Sequence, residues 1–84
     1  MEDFRKDFST QKLCEWINLQ LHFGEDYNEI FVNHHINGDS FLELDLNKLA
    51  EMGVKVVGHR LSIYGLVRSE RKKLNLPIQQ RKKK

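Results

Sequence analysis

Apolar residues recur at three- and four-residue spacing along most of this chain, a pattern that predicts helices rather than strands. The first apolar stripe consists of Leu13, Trp16, Ile17 and Leu21. Ser9 precedes this stripe and is expected to cap a helix there, with Phe8 and Leu13 at the spacing of a hydrophobic staple. Gly24 is expected to end this first helical unit.

The middle of the chain predicts shorter helices separated by turns. Residues 27–34 place three apolar side chains on one helical face, so a second helix is expected there. Residues 33–38 are expected to form a turn in which Ile36 anchors the chain to the core. The segment 39–44 is expected to form a third helix of one or two turns.

The stretch around Gly53 connects the last two predicted helices. Asp45 can cap a fourth helix over residues 46–52, with Leu49 and Met52 facing inward. Gly53 is expected to end that helix, because the residue just past a helix end often takes a positive φ, which glycine adopts at little steric cost.

A long fifth helix is predicted from about residue 57 to residue 74. Ile63 and Val67 lie four residues apart and form its inner stripe. Pro77 follows soon after and disfavours any further helix. The predicted fold is therefore all-α, a compact bundle of five helices in which the last helix is the longest.

The two ends of the chain are expected to lie outside the domain proper, which covers residues 8–74. Residues 1–7 are polar and charged, and we expect them to form a flexible lead-in. Residues 75–84 have little to bury and end in four consecutive cations, so we expect a basic disordered tail or linker.

Length and composition agree with one small domain. The chain has 84 residues, of which 39% are hydrophobic and 31% are charged. It has no apolar run of the roughly 20 residues that a membrane span needs, and its first residues lack the apolar core of a secretory signal. Cys14 is the only cysteine, so no internal disulfide can form, and a cytoplasmic or nuclear location is expected.

Charge is strongly segregated along the sequence. Residues 25–51 hold seven acidic residues against one lysine, whereas residues 52–68 hold three cations and no acid. Residues 71–84 add seven further cations. An acidic middle followed by a basic last helix favours binding between complementary protein surfaces.

The sequence contains no set of residues that predicts catalysis or a bound cofactor. Its histidines are His22, His34, His35 and His59. The adjacent pair would point to different faces of a helix, and no Cys/His cluster has the spacing of a zinc site. Cys14 has no histidine near it in sequence, and Ser9 is better explained as a cap than as a nucleophile. We therefore expect no enzyme activity, no metal and no cofactor.

The ordered set of motifs resembles the sterile alpha motif (SAM) domain over about residues 7–72. The matching motifs are Phe8-Ser9, Leu13-x-x-Trp16-Ile17, Tyr27-x-x-x-Phe31, Ile36-Asn37-Gly38, Phe41-Leu42-x-Leu44, Leu49-x-x-Met52-Gly53-Val54 and Gly58-His59-Arg60-x-x-Ile63. The resemblance implies a five-helix bundle, as the periodicity also predicts. Among SAM domains, this chain looks most similar to those of fungal mating-pathway MAP-kinase adaptors. Glu70 departs from the family, which often has an apolar residue there, so the last helix is expected to leave the core early.

The resemblance implies a protein–protein interaction module with two candidate surfaces. One is the start of the last helix, formed by Val54, Lys55, Val57, Gly58, His59 and Arg60. The other is the acidic middle of the domain, formed by Asp39, Glu43, Asp45 and Glu51. The expected partner is another SAM domain, such as one on a protein kinase. Cations would meet carboxylates around a centre formed by Val54 and Val57.

The sequence leaves open two alternatives to the binding of a different SAM domain. The basic and acidic surfaces can instead join copies of the chain head to tail into an open polymer, because such contacts do not close. RNA hairpin binding, found in some SAM domains, needs a dense positive surface. Here that surface has only Lys55, Arg60 and His59, on residues 1–70 with a net charge of −5. Specific nucleic-acid binding is therefore the least favoured of the three.

Overall fold

The structure, a computed structural model, describes residues 3–76. Its helices are α1 (Thr10–Gln20), a 3₁₀ helix (Gly24–Tyr27), α2 (Asn28–Asn33), α3 (Gly38–Phe41), α4 (Leu46–Met52) and α5 (Val57–Lys73). No strand occurs within this range. The predicted all-α fold with five α-helices and a long last helix is confirmed. The part of the predicted basic tail after Leu76 lies outside the described residues.

Helix boundaries differ from the prediction in the middle of the chain. Gly24 was expected to end a unit, but it begins the 3₁₀ helix, and α2 starts only at Asn28. The third helix ends at Phe41 rather than near residue 44. Glu43 and Leu44 instead donate backbone bonds to the carbonyls three residues earlier, which is 3₁₀ geometry. Such tight turns produce no helical periodicity that a sequence could show.

Side-chain caps start three of the helices. Ser9 Oγ accepts a hydrogen bond from the Lys12 N–H at 3.2 Å. Asn37 Oδ1 accepts one from the Ser40 N–H at 2.9 Å, and Asp45 Oδ1 accepts one from the Lys48 N–H at 2.8 Å. The predicted capping roles of Ser9 and Asp45 are confirmed. By contrast, Val56 precedes α5 and provides no side-chain hydrogen bond to its first turn.

Three helices end in the same kind of turn, in which a residue of positive φ precedes an apolar residue. The positive-φ residues are His35 (53°), Gly53 (113°) and Asn75 (61°). The apolar residues after them are Ile36, Val54 and Leu76, whose N–H groups donate to the carbonyls of Phe31 (3.0 Å), Leu49 (3.0 Å) and Arg71 (2.8 Å). This is the Schellman pattern, which satisfies the last helical carbonyls and returns an apolar side chain to the bundle. The sequence predicted it only at Gly53.

Four aromatic rings form one end of the core. Trp16 contacts Phe4 and Phe41 with ring centroids 5.2 Å and 6.0 Å apart, and Phe8 lies 5.5 Å from Phe4. The predicted core position of Trp16 is confirmed. Phe4 lies in the segment that we expected to be a flexible lead-in, yet it is 7% exposed. An isolated apolar residue in a polar segment gives no periodic signal, so the sequence did not place it in the core.

Gly38 lets this N-terminal segment pack closely on the start of α3. The Gly38 N–H donates to the Phe8 carbonyl at 2.9 Å. A Cβ at Gly38 would lie 2.5 Å from the Arg5 carbonyl oxygen and 2.6 Å from that of Lys6. A larger residue at position 38 would therefore push the N-terminal segment away from α3. This gives the Asn-Gly pair a physical explanation, because Asn37 caps α3 and Gly38 leaves space for the backbone of residues 5–6.

The last turns of α5 remain packed on the bundle. Glu70 is 6% exposed and Arg71 is 9% exposed. Arg71 Nη1 donates a 2.7 Å hydrogen bond to the Leu42 carbonyl just after α3, and Glu70 Oε2 lies 3.3 Å from Lys73 Nζ. The expectation that α5 leaves the core early at Glu70 was wrong, because polar partners take the place of an apolar contact there.

Candidate functional site

The segment leading into α5 is held by one buried residue. After the turn at Gly53, Val54 is fully buried, with 0% of its surface exposed. It therefore anchors the segment 54–56 to the core and provides no surface for a partner. The prediction that Val54 lies at the centre of a contact was wrong, because the residue after a positive-φ turn points back at the helix that it follows.

Beyond this anchor, three aliphatic side chains face solvent. Val56 is 51% exposed, Val57 is 58% exposed and Leu61 is 54% exposed. Val57 and Leu61 lie four residues apart, on one face of the first two turns of α5. Val57 was predicted as a contact residue, whereas Val56 and Leu61 were missed. Leu61 had a signal, since it lies only two residues before the core residue Ile63 and must point to another side of the helix.

Unpaired cations lie among these aliphatic side chains. Lys55 is exposed and Arg60 is half-buried. Neither has an ion-pair partner among residues 3–76. Gly58 lies between them in sequence and is open, because no atom beyond its chain neighbours and its own helix backbone lies within 4 Å of the position that a Cβ would take. These aliphatic residues, the two cations and Gly58 together form a surface that we call the α5-start surface, which consists of Lys55, Val56, Val57, Gly58, Arg60 and Leu61.

His59 was predicted as a contact residue, but most of its ring packs inward. It stacks on Phe23, with ring centroids 3.8 Å apart and planes 11° apart. Tyr27 meets it edge to face at 5.4 Å, and the Tyr27 hydroxyl is hydrogen-bonded to His59 Nδ1. Burial, and then the charge of Asp26, raise the pKa of the Tyr27 hydroxyl, so it stays protonated at neutral pH and can donate this bond.

Of the four carboxylates in the acidic middle of the domain, Asp45 has a structural role, whereas Glu43 contacts Arg71 while its side chain stays 75% exposed. Asp45 caps α4, and its pKa is lowered by the hydrogen bond from the Lys48 backbone N–H and by the nearby Lys48 ammonium, 3.5 Å away. Glu43 Oε2 lies 3.9 Å from Arg71 Nη1. Asp39 and Glu51 are exposed and have no ion-pair partner among residues 3–76.

The single cysteine is buried, and the described residues hold no cluster of metal-binding side chains. Cys14 is buried, and burial together with the charge of Glu15 raises the pKa of its thiol, which disfavours the nucleophilic thiolate. No three His, Cys, Asp or Glu side chains within residues 3–76 are grouped so that they could hold a metal ion. No helix in this range has the length and apolar character needed to cross a bilayer.

The sequence model of the SAM domain (sterile alpha motif) family matches residues 8–64 of this chain, more than half of its length. This chain is a SAM domain. The match runs from the residue before the Ser9 cap to near the middle of α5, and so includes the whole α5-start surface. SAM domains are non-catalytic protein–protein interaction modules, and the α5-start surface offers apolar and charged groups of the kind that protein interfaces use.

Its relatives include signalling proteins of fungi. The SAM domain is 34% identical over 82 residues to a sexual differentiation protein of Schizosaccharomyces pombe, covering 98% of this chain and 30% of that protein. It is 35% identical over 71 residues to a mitogen-activated protein kinase kinase kinase of Pyricularia oryzae, covering 84% of this chain and 8% of the kinase. The expected similarity to fungal mating-pathway and MAP-kinase proteins is confirmed. The chain thus spans less than a third of each of these two relatives. No solved structure matches it.

Proposed function

We propose that this SAM domain recruits another SAM domain, carried by a protein kinase of a MAP-kinase cascade, and that it does so through the α5-start surface. The observation that carries this proposal is the exposure of Val56, Val57 and Leu61 beside Lys55 and Arg60, which have no described ion-pair partner. A cytoplasmic location, expected from the single cysteine, is part of the same proposal.

The aliphatic residues supply most of the expected binding energy. Fully burying an aliphatic side chain contributes about 1.5–3 kcal/mol, and these three are already about half buried, so each has roughly half of that left to give. An exposed ion pair contributes only about 0–1 kcal/mol. We therefore assign affinity mainly to Val57 and Leu61, and assign the choice of an acidic partner and its orientation to Lys55 and Arg60.

A second candidate function is head-to-tail self-association. It is favoured by Asp39 and Glu51, two exposed carboxylates without described ion-pair partners that can meet the cations of a second copy. It is weakened by Asp45, whose carboxylate caps α4, so that one of the four predicted acidic residues has a structural role inside the domain.

RNA binding is supported by no feature of the described residues. Glu25 and Asp26 are exposed on the 3₁₀ helix, whose Tyr27 is hydrogen-bonded to His59. They add negative charge to the 3₁₀ helix on which the start of α5 packs, and this charge disfavours a phosphate backbone. Two unpaired cations do not make the dense positive surface that RNA recognition needs.

Calorimetric titration against the SAM domain of a MAP kinase kinase kinase from the same organism tests the proposal. We expect Leu61→Asp to weaken binding at least 30-fold, since a charge would have to be buried at the centre of the contact. Arg60→Glu is expected to weaken binding about tenfold by reversing the charge that faces an acidic partner.

Matched controls come from exposed residues elsewhere. Leu19 is 63% exposed on α1, so Leu19→Asp introduces the same charge on another face. Lys6→Glu makes the same charge reversal in the N-terminal segment. Both are expected to change affinity less than twofold, and all four variants should melt within the small range usual for surface substitutions. Equal binding by Leu61→Asp and Leu19→Asp would show that the α5-start surface is not the contact.

A further inference from the structure

The first turn of α5 is weak when judged from its own sequence. Val56 gives it no side-chain cap, and no acidic residue lies in the turn to interact with the helix dipole. Val57 is β-branched and Gly58 is the least favourable residue in a helix after proline. The first backbone bond of α5 runs from the Arg60 N–H to the Val56 carbonyl, at 3.0 Å. Left to itself, this turn should fray.

The structure holds the turn through one side chain, His59. Its ring stacks on Phe23 at a centroid distance of 3.8 Å, and it is hydrogen-bonded to Tyr27 through Nδ1. Phe23 and Tyr27 also meet each other edge to face at 5.9 Å. The three rings therefore form a single contact. It joins the start of α5 to the 3₁₀ helix and to Phe23, the residue just before that helix.

The position of His59 also sets which way the contact residues point. His59, Ile63 and Val67 follow each other at four-residue spacing, so His59 continues the buried stripe of α5 towards its first turn. Leu61 lies two residues from both His59 and Ile63, or about 200° around the helix, and must face solvent while the stripe faces the bundle. Fixing the His59 ring fixes the rotation of the first turn.

We propose that His59 is a positioning residue, which clamps the first turn of α5 to Phe23 and Tyr27 and so holds the α5-start surface in its binding geometry. This inference rests on the proposed function for its consequence, but the clamp itself can be tested without a partner. It assigns a role to Phe23 and to the 3₁₀ helix, neither of which was a candidate from the sequence.

Hydrogen exchange measured by NMR under native conditions tests the clamp. The quantity is the protection factor of the Arg60 amide, its intrinsic exchange rate divided by the observed rate, which measures local opening of the first turn. In His59→Ala we expect this protection to fall about tenfold, the effect of losing one stacked ring pair and one hydrogen bond. His59→Phe keeps the stacking and should stay within about threefold of wild type, as should Tyr27→Phe, which removes only the hydrogen bond.

Leu66→Ala is the matched control, because Leu66 is a half-buried residue of the same helix that packs on the core two turns further on. It should lower the stability of the whole domain while leaving the protection of the Arg60 amide unchanged, because it removes no contact of the first turn. If His59→Ala lowers that protection no more than Leu66→Ala does, or if the Arg60 amide is as unprotected in wild type as in His59→Ala, the clamp does not exist. Should His59→Ala fail to fold, Tyr27→Phe still decides the matter, since loss of the hydrogen bond must lower that protection more than Leu66→Ala does.

Binding to the kinase SAM domain then separates this inference from the proposed function. If Leu61→Asp abolishes binding, His59→Ala should weaken it by the factor by which it lowers the fraction of molecules with an ordered first turn, a fraction that the Arg60 protection gives. If Leu61→Asp has no effect, the proposed function fails while the exchange result still stands. Loss of binding in Leu61→Asp with binding in His59→Ala tighter than that fraction allows would overturn the positioning role alone.

Discussion

The α5-start surface and the acidic middle of the domain are both charged segments in the sequence, but the fold uses their charges differently. Lys55 and Arg60 have no described ion-pair partner and lie beside exposed aliphatic side chains. Asp45 instead caps α4, and the mostly exposed Glu43 has its carboxylate 3.9 Å from the guanidinium of Arg71. One segment therefore presents its charges to solvent, while the other uses at least Asp45 to start a helix.

This difference shows that the sign of a charge does not reveal its role. Asp45 was recognisable as a cap from its place before a helical segment. The sequence therefore predicted two roles for it, one in capping α4 and one in binding a partner. Glu43 was not recognisable, because its partner Arg71 is 28 positions away in the sequence. Free charges beside exposed apolar groups are the better indicator of a binding surface.

The largest expected effect on stability concerns Arg71. Arg71→Met keeps much of the aliphatic packing but removes the hydrogen bond to the Leu42 carbonyl, which would be left without its charged donor. We expect the free energy of unfolding to fall by about 2–3 kcal/mol, as for loss of a hydrogen bond to a charged group. Urea unfolding measures it, with Lys72→Met as the control, since Lys72 is the exposed neighbour in the same helix. A loss no larger than that of Lys72→Met would contradict the structural role of Arg71.

A smaller effect is expected at Asp45. Asp45→Ala should cost about 1 kcal/mol at pH 7 through loss of the α4 cap, whereas Asp45→Asn, which can still accept the bond, should cost less. The folded state lowers the pKa of Asp45 below its unfolded value of about 3.9. The ionised cap therefore stabilises the folded domain fully above that unfolded pKa, and this stabilisation is lost as the pH falls through the folded pKa.

Urea unfolding between pH 7 and pH 2 measures this dependence. The difference between wild type and Asp45→Ala should shrink as the pH falls. Asp39→Ala is the control, because Asp39 is exposed and caps no helix. A difference between wild type and Asp45→Ala that is independent of pH would mean that the carboxylate charge does not contribute.

The smallest effects on stability are expected at the two free carboxylates. Asp39→Lys and Glu51→Lys should each change the free energy of unfolding by less than about 0.5 kcal/mol. If the α5-start surface alone binds the kinase SAM domain, they should also leave that affinity within about twofold. Sedimentation velocity from low micromolar to near millimolar protein tests the alternative. Species that grow with concentration in wild type and not in Glu51→Lys would establish head-to-tail association.

Much of the fold could be predicted because its signals are local. The stripe from Leu13 to Leu21, the cap residues Ser9 and Asp45 and the turn at Gly53 each depend on neighbours within a few residues. The burial of Phe4 and the buried Arg71 were not predictable, because both depend on contacts with distant parts of the chain. His35 and Asn75 adopt positive φ without being glycine, so their turns gave little signal.

The candidate site could be predicted only in outline. The segment 54–60 was located correctly at the start of α5, but exposure within it depends on how the helix is rotated. That rotation turns His59 onto Phe23 and leaves Leu61 in solvent, while the turn at Gly53 buries Val54. Phe23 lies 36 residues before His59 in the sequence. No pattern within the segment could show that contact.

The most direct test of the central claim is NMR chemical-shift mapping of the labelled domain, titrated with the SAM domain of a MAP kinase kinase kinase from the same organism. Our account predicts that the largest shifts fall on Lys55, Val57, Arg60 and Leu61, with little change at Asp39 and Glu51. Shifts centred on Asp39 and Glu51, with the start of α5 unaffected, would contradict it.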